Sequence, residues 1–181
     1  RGVLTISHSE HELKEMSRRV HAIRLNGIDS EILSPKEIKK FIPIINTDQN
    51  IRYPILGGFL QKRGGTARHD AVAWGYARAA DSLGVDIIQN CEVTGIIKDQ
   101  NRIKGIDTTK GHISAKKIGV VVAGHSSILA EMSGLRLPIQ SRPLQALVSE
   151  PIKPILDTVI MSNAVHMYIS QSDKVEMLLR G

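Results

Sequence analysis

Apolar positions change their period several times along the chain, and each change marks an element. Gly2-Val3-Leu4-Thr5-Ile6 has the apolar, β-branched character of a strand. From Ser7 to Asn26 the spacing is helical: Leu13, Met16, Val20, Ile23 and Leu25 form a stripe, and Gly27 stops it. Glu31-Ile32-Leu33 predicts a short strand. Ser34-Pro35-Lys36-Glu37 predicts a helix start, with Ser34 as N-cap, Pro35 at the first position and Glu37 closing a capping box. That helix should end near Phe41, before Pro43. Residues 44–54 have no period, and their Asn and Asp content predicts an ordered loop, after which Ile55 to Leu60 is apolar again.

The stretch Arg63 to Trp74 combines two glycines, a cap residue and a histidine. Thr66 is the expected N-cap of a helix running through Leu83 and stopped by Gly84. At helical spacing His69, Val72, Ala73, Tyr76, Ala80 and Leu83 share one face, so the imidazole is expected to continue a buried stripe. The partial positive charge at a helix N-terminus disfavours imidazolium, which keeps a histidine there neutral and nucleophilic. Taken alone, these residues also suit a packed or capping histidine.

Beyond Gly84 the period falls to that of strands. Residues 85–88, 92–98 and 102–109 are short β runs, with Asp99-Gln100-Asn101 and Lys110-Gly111 as hairpin connections. Ile118 to Gly124 is almost wholly apolar, as expected of a strand buried on both faces of a parallel sheet. It runs into His125-Ser126-Ser127 and a helix over 128–132 ended by Gly134. A strand, a glycine turn and a helix start is a cofactor-binding geometry in open α/β sheets, and also a common structural junction. Residues 143–149, 158–161 and 165–170 read as strands. In the last, Val165, Met167 and Ile169 alternate with His166, Tyr168 and Ser170, giving one polar sheet face that either lines a cavity or meets water.

Composition narrows this picture. The chain is 41% hydrophobic, 23% charged and 3% aromatic, a globular balance. No apolar run is long enough to cross a bilayer and no secretory leader is visible, so no membrane partner and a cytoplasmic setting are expected. The single Cys91 cannot form an intramolecular disulfide and reads as a structural thiol. A net charge of +6 raises nucleic acid as a partner, but the basic pairs are scattered and no aromatics interleave with them, so none is expected. His8 and His11 are three apart without a third ligand, so they read as solvated helix histidines, as does His21, and no metal is assigned. The chain begins at Arg1 and moves at once into a strand, which reads as the interior of a longer product.

The order of motifs from Gly84-Val85-Asp86-Ile87-Ile88 through Glu92-Val93-Thr94-Gly95-Ile96 to Val122-Ala123-Gly124-His125-Ser126-Ser127 resembles the D-amino-acid-oxidase-like FAD-dependent amine oxidoreductases. Within that family Arg52-Tyr53-Pro54, Ala67-Arg68-His69-Asp70, residues 85–95 and Leu144 to Glu150 are similar to the β subunits of heterotetrameric sarcosine oxidases. The resemblance covers nearly the whole chain.

It implies a mixed α/β (α+β) fold: part of an FAD-binding domain of glutathione-reductase-like type (60–134), and parts of an antiparallel-sheet substrate domain (1–59 and 135–181). It also implies noncovalent FAD, where sarcosine is oxidised, and an FMN joined covalently to the histidine matching His69. A neutral imidazole nitrogen can add to the electrophilic 8α-methyl of oxidised flavin. Arg68, with Lys62 and Arg63 near it in sequence, would stabilise reduced flavin or hold the FMN phosphate. Val93 would lie against the adenine, and Ala123, Gly124 and His125 near the inner part of FAD, where small residues permit close approach. His166 and Tyr168 would belong to the substrate domain or to the interface with the large subunit. Expected partners are the other subunits and a small-molecule amine; the catalytic residues are unassigned.

The family's glycine-rich dinucleotide fingerprint is expected upstream of Arg1, and a second glycine-rich flavin segment beyond Gly181. Residues 1–181 alone are therefore expected to be inactive, to bind no flavin tightly, and to risk homo-oligomerisation through exposed edges. A noncatalytic assembly module of the same fold, glycine oxidase and dimethylglycine dehydrogenase are the alternatives.

Overall fold

The structure is a computed structural model and describes residues 1–100 and 102–181. Two compact units divide the chain: residues 1–68 with 144–181, and residues 69–143.

The first unit is a seven-stranded mixed sheet in the order β2-β3-β1-β8-β9-β10-β7. Its strands are β1 (Val3–Ser7), β2 (Glu31–Leu33), β3 (Gly57–Gln61), β7 (Ala146–Pro151), β8 (Val159–Ser162), β9 (Met167–Gln171) and β10 (Glu176–Arg180). β1 pairs antiparallel with β3, Leu4 facing Leu60, and parallel with β8, Leu4 facing Ile160. Because side chains alternate across a strand, Leu4, Ile6, Leu60 and Ile160 share one face. Ile38 of α2 (Pro35–Phe41) packs there with Ile42, Ile55 and Leu156. Phe59 points to the other face, against Met16 and Val20 of α1 (Glu10–Leu25). Leu4, Ile38 and Val20 are fully buried, so both faces of the β1/β3 centre are sealed by helices.

Local chemistry fixes the helix ends as the sequence predicts. Ser34 and Glu37 form a reciprocal capping box, with Pro35 in the first turn. The Ser34 hydroxyl and its backbone N–H hold the Glu37 carboxyl below its ordinary value. The start of α1 shifts from the expected Ser7 to Glu10, because Ser9 provides the cap that accepts from the Glu12 N–H. Gly27 and Gly134 take positive φ, as left-handed closure of a helix requires. The six-residue bonds from Ile28 N–H to Ile23 O and from Leu135 N–H to Ala130 O complete those closures.

His8 departs from expectation. It precedes α1, half-buried: Nδ1 lies 3.1 Å from Tyr53 O and 3.2 Å from Pro54 O, and Nε2 lies 2.9 Å from Ser162 Oγ. Carbonyls only accept, so in the neutral ring Nδ1 carries the hydrogen and Nε2 accepts from the serine. These long-range partners make it an anchor for the 44–54 loop rather than a solvated residue. His11 and His21 are exposed on α1.

Two further differences lie in the tail. His166 occupies a turn at φ 47°, ahead of β9, so it does not alternate with Tyr168 on a strand face. β10 was not expected from the sequence. It is held by β9 and β7, and by the buried Gln171 side chain at its approach. The Gln171 amide accepts from Ile155 N–H (2.8 Å) and Leu156 N–H (3.0 Å) and donates to Lys153 O and Val175 O (both 3.0 Å).

The second unit contains α3 (His69–Ser82), a three-stranded antiparallel sheet of β4 (Val93–Asp99), β5 (Arg102–Thr108) and β6 (Gly111–Ser114), and α4 (Ser126–Met132). The Lys110-Gly111 connection between β5 and β6 is as expected; the other connection includes Asn101, outside the described residues. Residues 85–88 and 118–122 form no strand. Val121 is 95% exposed, opposite to the burial expected of it. Both runs have strand-like composition, but a strand exists only with a neighbour to complete its ladder, and none of the described residues supplies one.

No helix among the described residues is long and apolar enough to cross a membrane. Two substitutions probe the first unit. A Cβ at Gly58 would lie 2.8 Å from the Thr5 carbonyl and 3.1 Å from Ile38 Cδ1, so Gly58→Ala is expected to destabilise by about 1–3 kcal/mol in chemical denaturation. Gln171→Leu strands four backbone groups and is expected to cost about 2–5 kcal/mol by the same measurement.

Candidate functional site

β3 ends at Gln61, and a turn through Lys62 and Arg63 leads to Gly64. The Gly64 carbonyl accepts from Gly2 N–H at 2.8 Å, and a Cβ at Gly64 would meet Val3 Cγ2 at 2.8 Å, so this close approach requires glycine. The nearby cations have carboxylate partners: Lys62 with Glu31 (2.7 Å), Arg63 with Asp29 (2.9 Å) and Arg68 with Asp173 (3.1 Å). All three pairs are more than 45% exposed at both ends, so they orient the chain more than they stabilise it.

His69 is the first residue of α3, in the first turn as expected. The helix begins three residues beyond Thr66, which lies in irregular chain and is not its N-cap. His69 is also exposed, and α3 buries no side chain: Val72, Tyr76 and Leu83 all face outward. The stripe is present at the right spacing, but no described element covers it, so the expected burial fails for want of a packing partner. The opposite face of α3 and residues 87–90 enclose an open groove of about 630 Å3, lined by Trp74, Arg78, Asp81, Ile87, Gln89 and Lys110. Lys110 Nζ donates to the Gln89 carbonyl at 2.7 Å.

Val93 opens β4, half-buried opposite Thr108, and a bulge separates it from Gly95. Ala123, Gly124 and His125 form one short 3-10 turn leading into α4. Ala123 is left-handed at φ 45°, a conformation costly for a residue with a Cβ. Ser126 Oγ donates to Ala123 O (2.7 Å), and Ser141 Oγ donates to Gly124 O (2.5 Å). Among the described residues no hydrogen bond joins His69 or Val93 to this turn, so of the sequence-derived candidates only 123–125 form one local constellation. Sequence reading missed Ser141, which sits in an unperiodic stretch 17 residues from its acceptor. It also missed Arg180, which β10 brings directly opposite Tyr168 on β9. Among the described residues no group of three His, Cys, Asp or Glu could hold a metal.

An exposed left-handed backbone followed by glycine, entering a helix from an apolar run, defines a place where a cofactor can approach main chain closely. The FAD dependent oxidoreductase family matches residues 1–181, and the chain belongs to that family. Among curated relatives, the sarcosine oxidase subunit beta of Rhodobacter capsulatus is 54% identical over the whole chain, which covers 44% of that protein. That of Arthrobacter sp is 52% identical over 99% of the chain, again 44% of the relative. The chain thus spans less than half the length of these relatives. Human mitochondrial sarcosine dehydrogenase is 28% identical over 85% of the chain and 17% of its own length.

Among solved structures, glycine oxidase from Geobacillus kaustophilus shares the fold with a TM-score of 0.82 at 20% identity, over 99% of this chain and 46% of that one. L-proline dehydrogenase from P. horikoshii does so with 0.81 at 20% identity, over 98% and 47%.

The residues present fit the family's cofactor. Gly124 is exposed, and even a Cβ there would make only ordinary contact with Ser141 Oγ at 3.4 Å, so its backbone is open to a ligand. His69 is exposed at the first position of α3.

Proposed function

We propose that this chain is part of a flavin-dependent amine oxidoreductase that oxidises sarcosine, with FAD held noncovalently and FMN bonded to His69. When bound, FAD supplies the acceptor for the hydride taken from the substrate carbon next to nitrogen. The observation that carries the reading is the exposed His69 at the first position of α3, in a chain more than half identical, end to end, to two sarcosine oxidase β subunits. The His69 imidazole would hold the FMN at that position.

The division of labour follows from chemistry. Val93 and the Ala123-Gly124-His125 turn offer backbone to FAD, the first on a strand edge beside the bulge and the second at a helix start where N–H groups converge. In this reading residues 60–134 serve FAD, while 1–59 and 135–181 serve the substrate. Arg68 is already paired with Asp173, so it contributes a positive, hydrogen-bonding surface rather than a lone charge. Sarcosine carries a carboxylate, and Arg180 with the half-buried Tyr168 supplies a cation and a phenol side by side on one sheet face. The names of the β-subunit relatives support assembly with other subunits. The lone Cys91, half-buried and unbridged, suits a cytoplasmic setting.

Two measurements on the full-length protein with its partner subunits test this. Acid precipitation of the wild type is expected to leave flavin on the protein, and His69→Ala to release all of it; acid-stable flavin in the variant overturns the attachment. Arg180→Met is expected to raise the KM for sarcosine about 10–100-fold with a smaller change in kcat. An unchanged KM removes Arg180 from the substrate site.

A further inference from the structure

We infer that Ser141 is a positioning residue for the cofactor turn, its hydroxyl locking the Gly124 carbonyl and hence the backbone that FAD meets. The inference rests on the assignment of the 123–125 turn to FAD made above.

The turn needs such a lock. Ala123 holds a left-handed backbone that a residue with a Cβ adopts only when its surroundings over-determine it. Gly124 follows, and glycine's wide conformational freedom leaves its peptide able to rotate. Two hydroxyls act on these two carbonyls. Ser126 Oγ binds Ala123 O at 2.7 Å, a local bond three residues back that travels with the turn and cannot hold it against anything else. Ser141 Oγ binds Gly124 O at 2.5 Å from a separate segment, so it fixes the turn relative to other structure.

That segment is itself secured. Ser127 Oγ donates to Ile139 O at 2.9 Å, so the 139–141 stretch receives one bond from α4 and returns one to the turn. The two serines form a reciprocal staple across 12 and 17 residues of chain. Opening the staple at Ser141 would leave Gly124 O to water and let the turn populate other conformers. Apparent affinity falls in proportion to the competent fraction that remains.

The test compares Ser141→Val with Ser141→Thr in the full-length protein, since these two side chains share a shape and differ by the hydroxyl. FAD is titrated into stripped apoprotein, with flavin fluorescence giving the Kd and the visible absorption of bound FAD as a second readout. Ser141→Val is expected to weaken FAD about five- to tenfold and shift the absorption band, with Ser141→Thr close to wild type. Ser141→Ala should follow the valine variant, which covers the case that valine's methyls crowd the turn.

Equal affinities for the valine, alanine and threonine variants overturn the proposal. Gly124→Val separates the two levels of the argument. If it abolishes FAD binding while all Ser141 variants bind normally, the Ser141 role fails and the FAD reading of the turn stands. If it binds FAD like wild type, that reading fails and the Ser141 role with it.

Discussion

Double-sided pairing of β1 is the constraint on which the first unit depends. Val3 to Ser7 pair with β3 on one side and Val3 to Ile6 with β8 on the other, so segments some 50 and 150 residues further along the chain meet at one strand. Strict alternation then sends Leu4 and Ile6 into the core under α2, and Thr5 and Ser7 to the face that carries α1. A one-residue slip would exchange these faces, putting hydroxyls against Ile38 and Leu60, so register and core are specified together. Gly58 belongs to the same constraint, since only a residue without a Cβ lets β3 and β1 approach beneath Ile38.

The second unit shows what happens where such pairing is missing. Residues 85–88 and 118–122 are as apolar as β1 and richer in β-branched residues than most of the strands that formed, yet they remain irregular. Propensity and hydrophobicity create the demand for a ladder; only a neighbouring strand meets it. α3 is the helical counterpart. Its capping glycine, length and stripe all suit an amphipathic helix, but amphipathicity acquires an inside only when another surface lies against it.

Local chemistry was readable from sequence, and long-range partnership was not. The Ser34–Glu37 capping box, the glycine stops at Gly27, Gly84 and Gly134, and the paired strands around Ile96 and Ile106 depend on residues a few positions apart. His8 was misread because Tyr53, Pro54 and Ser162 are 45 to 154 residues away. β10 was overlooked because Glu176-Met177-Leu178-Leu179-Arg180 is equally good helix former; β7, β9 and the Gln171 amide decide the matter. Thr66 failed as an N-cap because preference for a cap residue says nothing about where the preceding chain is tethered, here by Gly64 to Gly2. At the candidate site, the Ala123-Gly124-His125 turn could be found from its glycine and the helix start that follows, although the strand expected before it does not form, whereas Arg180 and Ser141 depend on register and on a returning segment.

The same contrast separates the parts of the molecule that resist change from those suited to binding. The β1 centre is held by ladders on both edges and packing on both faces, so losing a single hydrogen bond there leaves the rest in place. The 123–125 turn is held by two hydroxyls, one of them local, around a left-handed alanine and a glycine. Sparse support of this kind is a poor way to build a core but a serviceable way to build a contact for a cofactor. In the proposed role the backbone stays exposed, the strained conformer is set in advance, and little ordering would remain for the ligand to impose. A second glycine in place of Ala123 would relieve the strain but enlarge the freedom to be lost on binding, so alanine with a hydroxyl lock is the better-preorganised solution.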